Sequence, residues 1–174
     1  MQLSINLKLS KKAAATIVAV LVLIAAGIIF YLEQANRDPL PPNLKKQVTY
    51  KIAYPSKISQ IDTGSYQYQA DKQVLNFNVA TDDSTVVFTE QPAPSALGSD
   101  TQAYYPALGI HPYAQFQTKL GLVVLTRFWQ AGNFKPVGQS AILATHGTFL
   151  IAHSEKNLTN AEWKDLFESL KLAK

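Results

Sequence analysis

Three histidines, His111, His146 and His153, are the residues best suited to chemistry in a chain of 174 residues with no cysteine. The missing thiol excludes disulfide scaffolds, cysteine nucleophiles, iron–sulfur clusters and cysteine-held zinc. His146 and His153 are seven positions apart, so an extended chain separates them by up to about 23 Å, and His111 is followed by Pro112. No spacing places two histidines on one helix face, and there is no acid-rich calcium loop, nucleophile elbow, phosphate-binding glycine loop or dinucleotide fingerprint. Asp82 and Asp83 form a turn, and Glu155, Glu162, Asp165 and Glu168 belong to the last helix or its approach, where solvated charge is the ordinary role. No catalytic residue, cofactor or metal ligand is therefore assigned. A serine, histidine and aspartate brought together from distant positions would leave no signature in spacing.

A different chemistry is offered by the segment Glu90 to His111. It carries Pro92, Pro94 and Pro106 and one charge, Asp100, after Glu90. Long segments without periodicity in a compact domain serve as binding loops or lids, and adjacent tyrosines give large contact area with a polar tip. Tyr104, Tyr105, His111 and Tyr113 are the candidate binding residues. The alternative is that the tyrosines tuck the loop onto the fold.

The elements that would position such a site begin with an apolar run. Residues 13–32 contain no charge, and a helix of that length spans about 30 Å, the thickness of a hydrocarbon core. Three lysines and no acid precede it in residues 1–12, which orients the N-terminus to the cytoplasm. The expected organisation is a cytoplasmic N-terminus over 1–12, a transmembrane signal anchor over 13–32, a proline-rich spacer over 33–44 and an extracytoplasmic domain over 45–174. A cleaved secretory signal is the rival, and the length of the run and the absence of a small-residue cleavage pair beyond it favour the anchor. Residues 45–174 carry twelve Lys or Arg against ten Asp or Glu, spread rather than clustered, so the formal charge of +4 is no nucleic-acid footprint.

Within the domain, alternation predicts strands over Val48–Tyr54, through Tyr66–Ala70, and over Val74–Ala80, Ser84–Thr89, Leu122–Gln130, Pro136–Ala144 and Thr148–His153. Gly147 marks a tight hairpin between the last two. Pro112–Leu120, with Tyr113, Phe116 and Leu120 on one face and Gly121 after it, predicts a helix. Thr159 and Glu162 have capping-box spacing, with Leu158 and Trp163 as a hydrophobic staple, and Trp163, Leu166, Phe167 and Leu170 form an apolar stripe. The fold class expected is α+β: an N-terminal transmembrane helix, then a mainly antiparallel curved sheet of about six or seven strands with two helices packed on it.

The lysine-flanked apolar run, the proline-rich spacer, the segment Val86–Pro94, and Gly147–Ala152 followed by Leu158, Trp163, Phe167 and Leu170 resemble uncharacterised bacterial single-pass membrane proteins. Their exported domain is similar to the domain of unknown function at the C-terminus of some anti-sigma-type and sporulation-type membrane proteins. The resemblance implies an α+β fold with a curved sheet, no known activity and no transferred catalytic residue. The function expected is a single-pass, membrane-anchored, extracytoplasmic binding protein of the bacterial cell envelope, non-catalytic, with the membrane and an envelope protein, peptide or lipid as partners and no nucleic acid. The alternatives are an envelope hydrolase with a site not visible in sequence, and a lipid or peptide carrier using the concave sheet face, which needs an apolar cavity of about 300 Å³ or more.

Overall fold

The structure, a computed structural model, describes residues 11–35, 40–57, 60–82, 84–97, 105–106, 110–128 and 137–173. The chain forms two units, Met1–Asp38 and Pro39–Lys174. In the first, helix α1 runs Lys11–Ala35. The expectation of a transmembrane helix over 13–32 is corrected here: among the described residues no helix is long and apolar enough to cross a membrane. The described apolar side chains of α1, from Val18 to Ile29, are exposed.

The second unit opens with Leu40, buried in the core, and the short helix α2 (Pro42–Gln47). Pro42 takes the first helical turn, where its missing N–H costs nothing, so the end of the expected spacer is already part of the domain. Among the described residues nine strands follow: β1 (Ile52–Pro55), β2 (Ile61–Gln69), β3 (Val74–Ala80), β4 (Thr85–Pro92), β5 (Pro112–Thr118), β6 (Gly121–Phe128), β7 (Gly138–Thr145), β8 (Thr148–Ser154) and β9 (Leu170–Ala173), with helix α3 (Asn160–Glu168) before the last. Seven of them form one antiparallel sheet in the order β2-β3-β4-β8-β7-β6-β5, and β1 pairs with β9 in a separate two-stranded ribbon.

Two elements differ from expectation. Pro112–Leu120 is no helix but edge strand β5 and its turn. Ala114, Phe116 and Thr118 point one way and Gln115 and Gln117 the other, a period of two that coincides with the helical spacing at Phe116 and is rich in strand-forming residues. Of the two helices expected on the sheet, the C-terminal one is found, as α3. Leu170, assigned by its spacing to the helix stripe, instead starts β9, because α3 ends at Glu168 and Ser169 bonds back to the carbonyl of Asp165.

The core lies on one face of the sheet. Phe77, Phe88, Leu125, Leu143 and Leu150 point there, beneath Trp163, Leu166 and Phe167 of α3. Aromatic rings run across it from Tyr66 to Phe77 (5.5 Å), Phe88 (5.2 Å) and Phe167 (6.3 Å). Thr159 caps α3 as its spacing implies, accepting from the Glu162 N–H while the Glu162 carboxylate takes the Thr159 N–H. The indole N–H of Trp163 donates to Gln139 Oε1 at 3.0 Å.

One charged residue type breaks this apolar layer. Glu90 of β4 is fully buried, and both its carboxylate oxygens accept from the N–H of Ala53, at 3.1 and 3.2 Å. Burial without a cation holds the Glu90 carboxyl well above the usual range. The Tyr50 hydroxyl donates to the Glu90 carbonyl at 2.8 Å, and Thr148 Oγ1 donates to the Lys51 carbonyl. Side chains of the large sheet thus anchor β1, which pairs with none of its strands.

Candidate functional site

The same alternation that sends alternate residues of β4, β6, β7 and β8 toward α3 sends the others to the opposite, outer face. Strand pairing lines them up in rows. Thr126, Ser140, His153 and Val87 stand side by side across β6, β7, β8 and β4, and Val124, Ile142, Ile151 and Thr89 form the next row. The β7–β8 hairpin sets this register through a two-residue turn, His146 (φ 46) and Gly147 (φ 82), both left-handed as the tight hairpin requires.

The outer face is only partly covered. Leu97 of the 3₁₀ turn Ser95–Leu97 and Tyr105 bury themselves on Val124, Ile142 and Phe149, forming a second, smaller apolar cluster. Beside that cluster is a groove of about 590 Å³. Its apolar lining is Val87, Ile110, Phe128, Ile142 and Ile151, and its polar lining is Thr89, Thr126, Arg127, Ser140 and His153. Three smaller hollows, of about 260 to 380 Å³, are lined mainly by polar and charged groups of the surface.

The polar groups of the groove are held in distinct ways. His153 packs against the Phe128 ring, 4.3 Å between centroids, and its Nδ1 lies 3.4 Å from Ser140 Oγ. Gly138 makes room for this: a Cβ there would lie 2.9 Å from His153 Cε1 and 2.3 Å from the Ser154 carbonyl oxygen. Thr126 Oγ1 donates to the His111 carbonyl at 3.3 Å, and Thr89 Oγ1 donates to Asn76 Oδ1 at 2.8 Å. The Arg127 guanidinium stacks over the ring of Tyr113, 5.5 Å from its centroid. Partial burial pushes the Tyr113 hydroxyl up, against the pull of Arg127 and a hydrogen bond with Gln139. Among the described residues no carboxylate lines the groove.

The expected binding residues do not form one surface. Tyr105 is 2% exposed and serves as a cover for the outer face. His111 is exposed, and its backbone carbonyl is what the groove uses. Tyr113 is 41% exposed and supports Arg127 from beneath. Tyr104 lies outside the described residues. Of the other histidines, His146 sits at the hairpin tip with Nδ1 2.8 Å from Thr145 Oγ1, and only His153 faces the groove.

Val87, Thr126, Arg127, Ser140 and Ile151 escaped a reading based on motifs because they come from four strands. One signal was present: six residues back from His146 is Ser140 and six on from Gly147 is His153, the pair that a tight turn at that place must put side by side.

The Ser140–His153 pair is the only arrangement in the groove that suggests covalent chemistry, and its geometry is poor for that. Ser140 is 4% exposed, the contact is long, and among the described residues no carboxylate hydrogen-bonds to the imidazole. No group of three metal-binding side chains occurs among the described residues. What the site can do is enclose an apolar body beside the imidazole of His153.

No protein-family model, no curated protein and no solved structure matches this chain, so the function follows from the geometry of the site itself.

Proposed function

We propose that residues 40–173 form a non-catalytic binding module whose ligand lies in the outer-face groove. The observation that carries this reading is a groove of about 590 Å³ lined by Val87, Ile110, Phe128, Ile142 and Ile151 together with Thr89, Thr126, Ser140 and His153, with no carboxylate among them. That combination of an apolar wall with a few placed polar groups characterises small-molecule sites, and the volume falls in their usual range of about 300 to 1,000 Å³. The carrier alternative, which required an apolar cavity on a sheet face, is thereby the form of binding the geometry favours, and Tyr105 is not part of the groove's lining. The function needs no membrane span, since every groove residue belongs to the second unit.

The test is binding of an uncharged solvatochromic dye to the full chain, compared with Val87→Glu and Thr126→Trp, which charge or fill the groove at partly exposed positions. The dye signal falls in both variants while their far-UV spectra and melting curves match the parent. Binding that is equal in all three chains removes the groove from the function. Profiling of ester, amide and glycoside substrates checks the non-catalytic part, and turnover abolished by His153→Ala would replace the binding module with a hydrolase.

A further inference from the structure

Resting on that reading, we infer that the groove's ligand is an uncharged apolar alcohol, a hydrocarbon body with one hydroxyl, its body along Ile142 and Ile151 and its hydroxyl over Ser140, between Thr126 and His153.

The charge of the ligand follows from the charge of the wall. Among the described residues no acidic side chain lines the groove. Arg127 brings no positive charge to it: Arg127 pairs with Gln139, whose side chain bonds Trp163 of α3, and its guanidinium lies over Tyr113. By strand alternation that side chain belongs to the face that α3 covers. Glu155 and Lys156 line a neighbouring hollow, which shares Val87 and His153 with the groove, and neither lines the groove itself. A carboxylate, phosphate or ammonium head between Ile142, Ile151 and Phe128 would lose hydration and meet no permanent counter-charge.

The head group follows from the hydrogen-bonding capacity left over. Thr126 Oγ1 donates its proton to the His111 carbonyl and Thr89 Oγ1 donates to Asn76 Oδ1, so each threonine keeps lone pairs and has no proton to offer. Both oxygens therefore ask for a donor. Ser140 Oγ and Nδ1 of His153 share one hydrogen bond, and in either direction Nε2 is left without a partner among the described residues. Nε2 donates when the Ser140 hydroxyl gives its proton to Nδ1, and accepts when Nδ1 holds the proton. A ketone or an ether has nothing to give a threonine oxygen. A hydroxyl donates to Thr126 and accepts from Nε2 with its lone pairs. Thr126 and His153 stand one strand to either side of Ser140 in the same row, about 4.8 Å each way, which puts that hydroxyl over Ser140. The rest of the wall, Val87, Ile110, Phe128, Ile142 and Ile151, asks for hydrocarbon.

The experiment uses the full chain and three photoreactive probes that share one diazirine-bearing alkyl body and differ in the head group: a primary alcohol, its methyl ether and the carboxylate. Cross-linked peptides are located by mass spectrometry, which separates labelling of β4 and β8 from labelling of α1. The alcohol labels Val87 or Ile151 at a concentration about tenfold below that needed by either of the others, a preference worth about 1.4 kcal/mol. Thr126→Val keeps the shape, removes the accepting oxygen and brings the alcohol to the level of the ether, and Thr126→Ser restores the preference. The comparison of probes on the unmodified chain is decisive even where Thr126→Val does not fold. Equal labelling by alcohol and ether, or a preference that survives in Thr126→Val, overturns the hydroxyl and leaves the groove a site for apolar molecules. A carboxylate that labels as well as the alcohol overturns the uncharged ligand. Labelling by none of the three on β4 or β8 overturns this inference and the binding groove together.

Discussion

The two faces of the large sheet are made by one alternation of side chains and end in different states. Toward α3 the face is sealed: Phe88, Leu125, Leu143 and Leu150 are wholly buried beneath Trp163 and Phe167, and the β1–β9 ribbon belongs to the same core. On the outer face Leu97 and Tyr105 seal one end, and beyond them Val87 and Phe128 remain exposed around the groove. Burial is most complete where a helix was available as a lid.

Truncation measures that contrast most directly. Phe167→Ala removes a ring packed against Phe88, Phe116 and Trp163 and lowers unfolding free energy by about 3–5 kcal/mol. Phe128→Ala, on a residue 41% exposed, costs about 1 kcal/mol or less. Chemical denaturation of the two variants checks the pair, and equal losses would erase the distinction between the faces.

The sealed face also carries the larger dependence on pH. Burial raises the folded pKa of Glu90 above its unfolded value, so above the ordinary carboxylate range the folded chain keeps a proton that the unfolded chain releases. The stability linked to Glu90 is complete below that range and is lost as pH rises toward the folded pKa, with a slope of up to about 1.4 kcal/mol per pH unit. Glu90→Gln flattens the decline in unfolding free energy measured through neutral pH. A decline unchanged in that variant would show that another group causes it.

Smaller effects follow at the lid and then at Arg127. Thr159→Ala removes the α3 cap and lowers stability by about 1 kcal/mol, read as a shift in the denaturation midpoint. Arg127→Gln removes the contact with the Tyr113 ring and changes stability by less than about 0.5 kcal/mol, read from the same midpoint. A large stability loss in this last variant would make Arg127 part of the scaffold.

Sequence patterns located the sealed face better than the open one. Thr159, Glu162 and the stripe Trp163, Leu166 and Phe167 specify α3 within a single short window, and Val74–Ala80 alternates without interruption as β3. The pattern at Pro112–Leu120 was ambiguous because three apolar residues at helical spacing also fit a strand whose neighbours are uncharged, and pairing with β6 decides it. Glu90 was illegible for a different reason: a lone acid beside prolines resembles a loop, and its burial depends on Ala53, far back in the chain. The groove was hidden because its polar row is perpendicular to the chain, with each member on its own strand. The length of the apolar run over 13–32 raised an expectation that the described part of α1 does not meet.

The pairing of β1 with β9 joins Ile52 to Ala173 and Pro55 to Leu170, and Ser56 takes the carbonyl of Ser169. β1 therefore waits during synthesis until nearly the whole chain has left the ribosome, and this contact, long in sequence, is slow to close. Until then the N–H of Ala53 has no fixed place, and the carboxyl of Glu90 lacks its intended donor. The ribbon acts as a clasp, so a nascent chain that stops short of β9 is left open along the strand it made first.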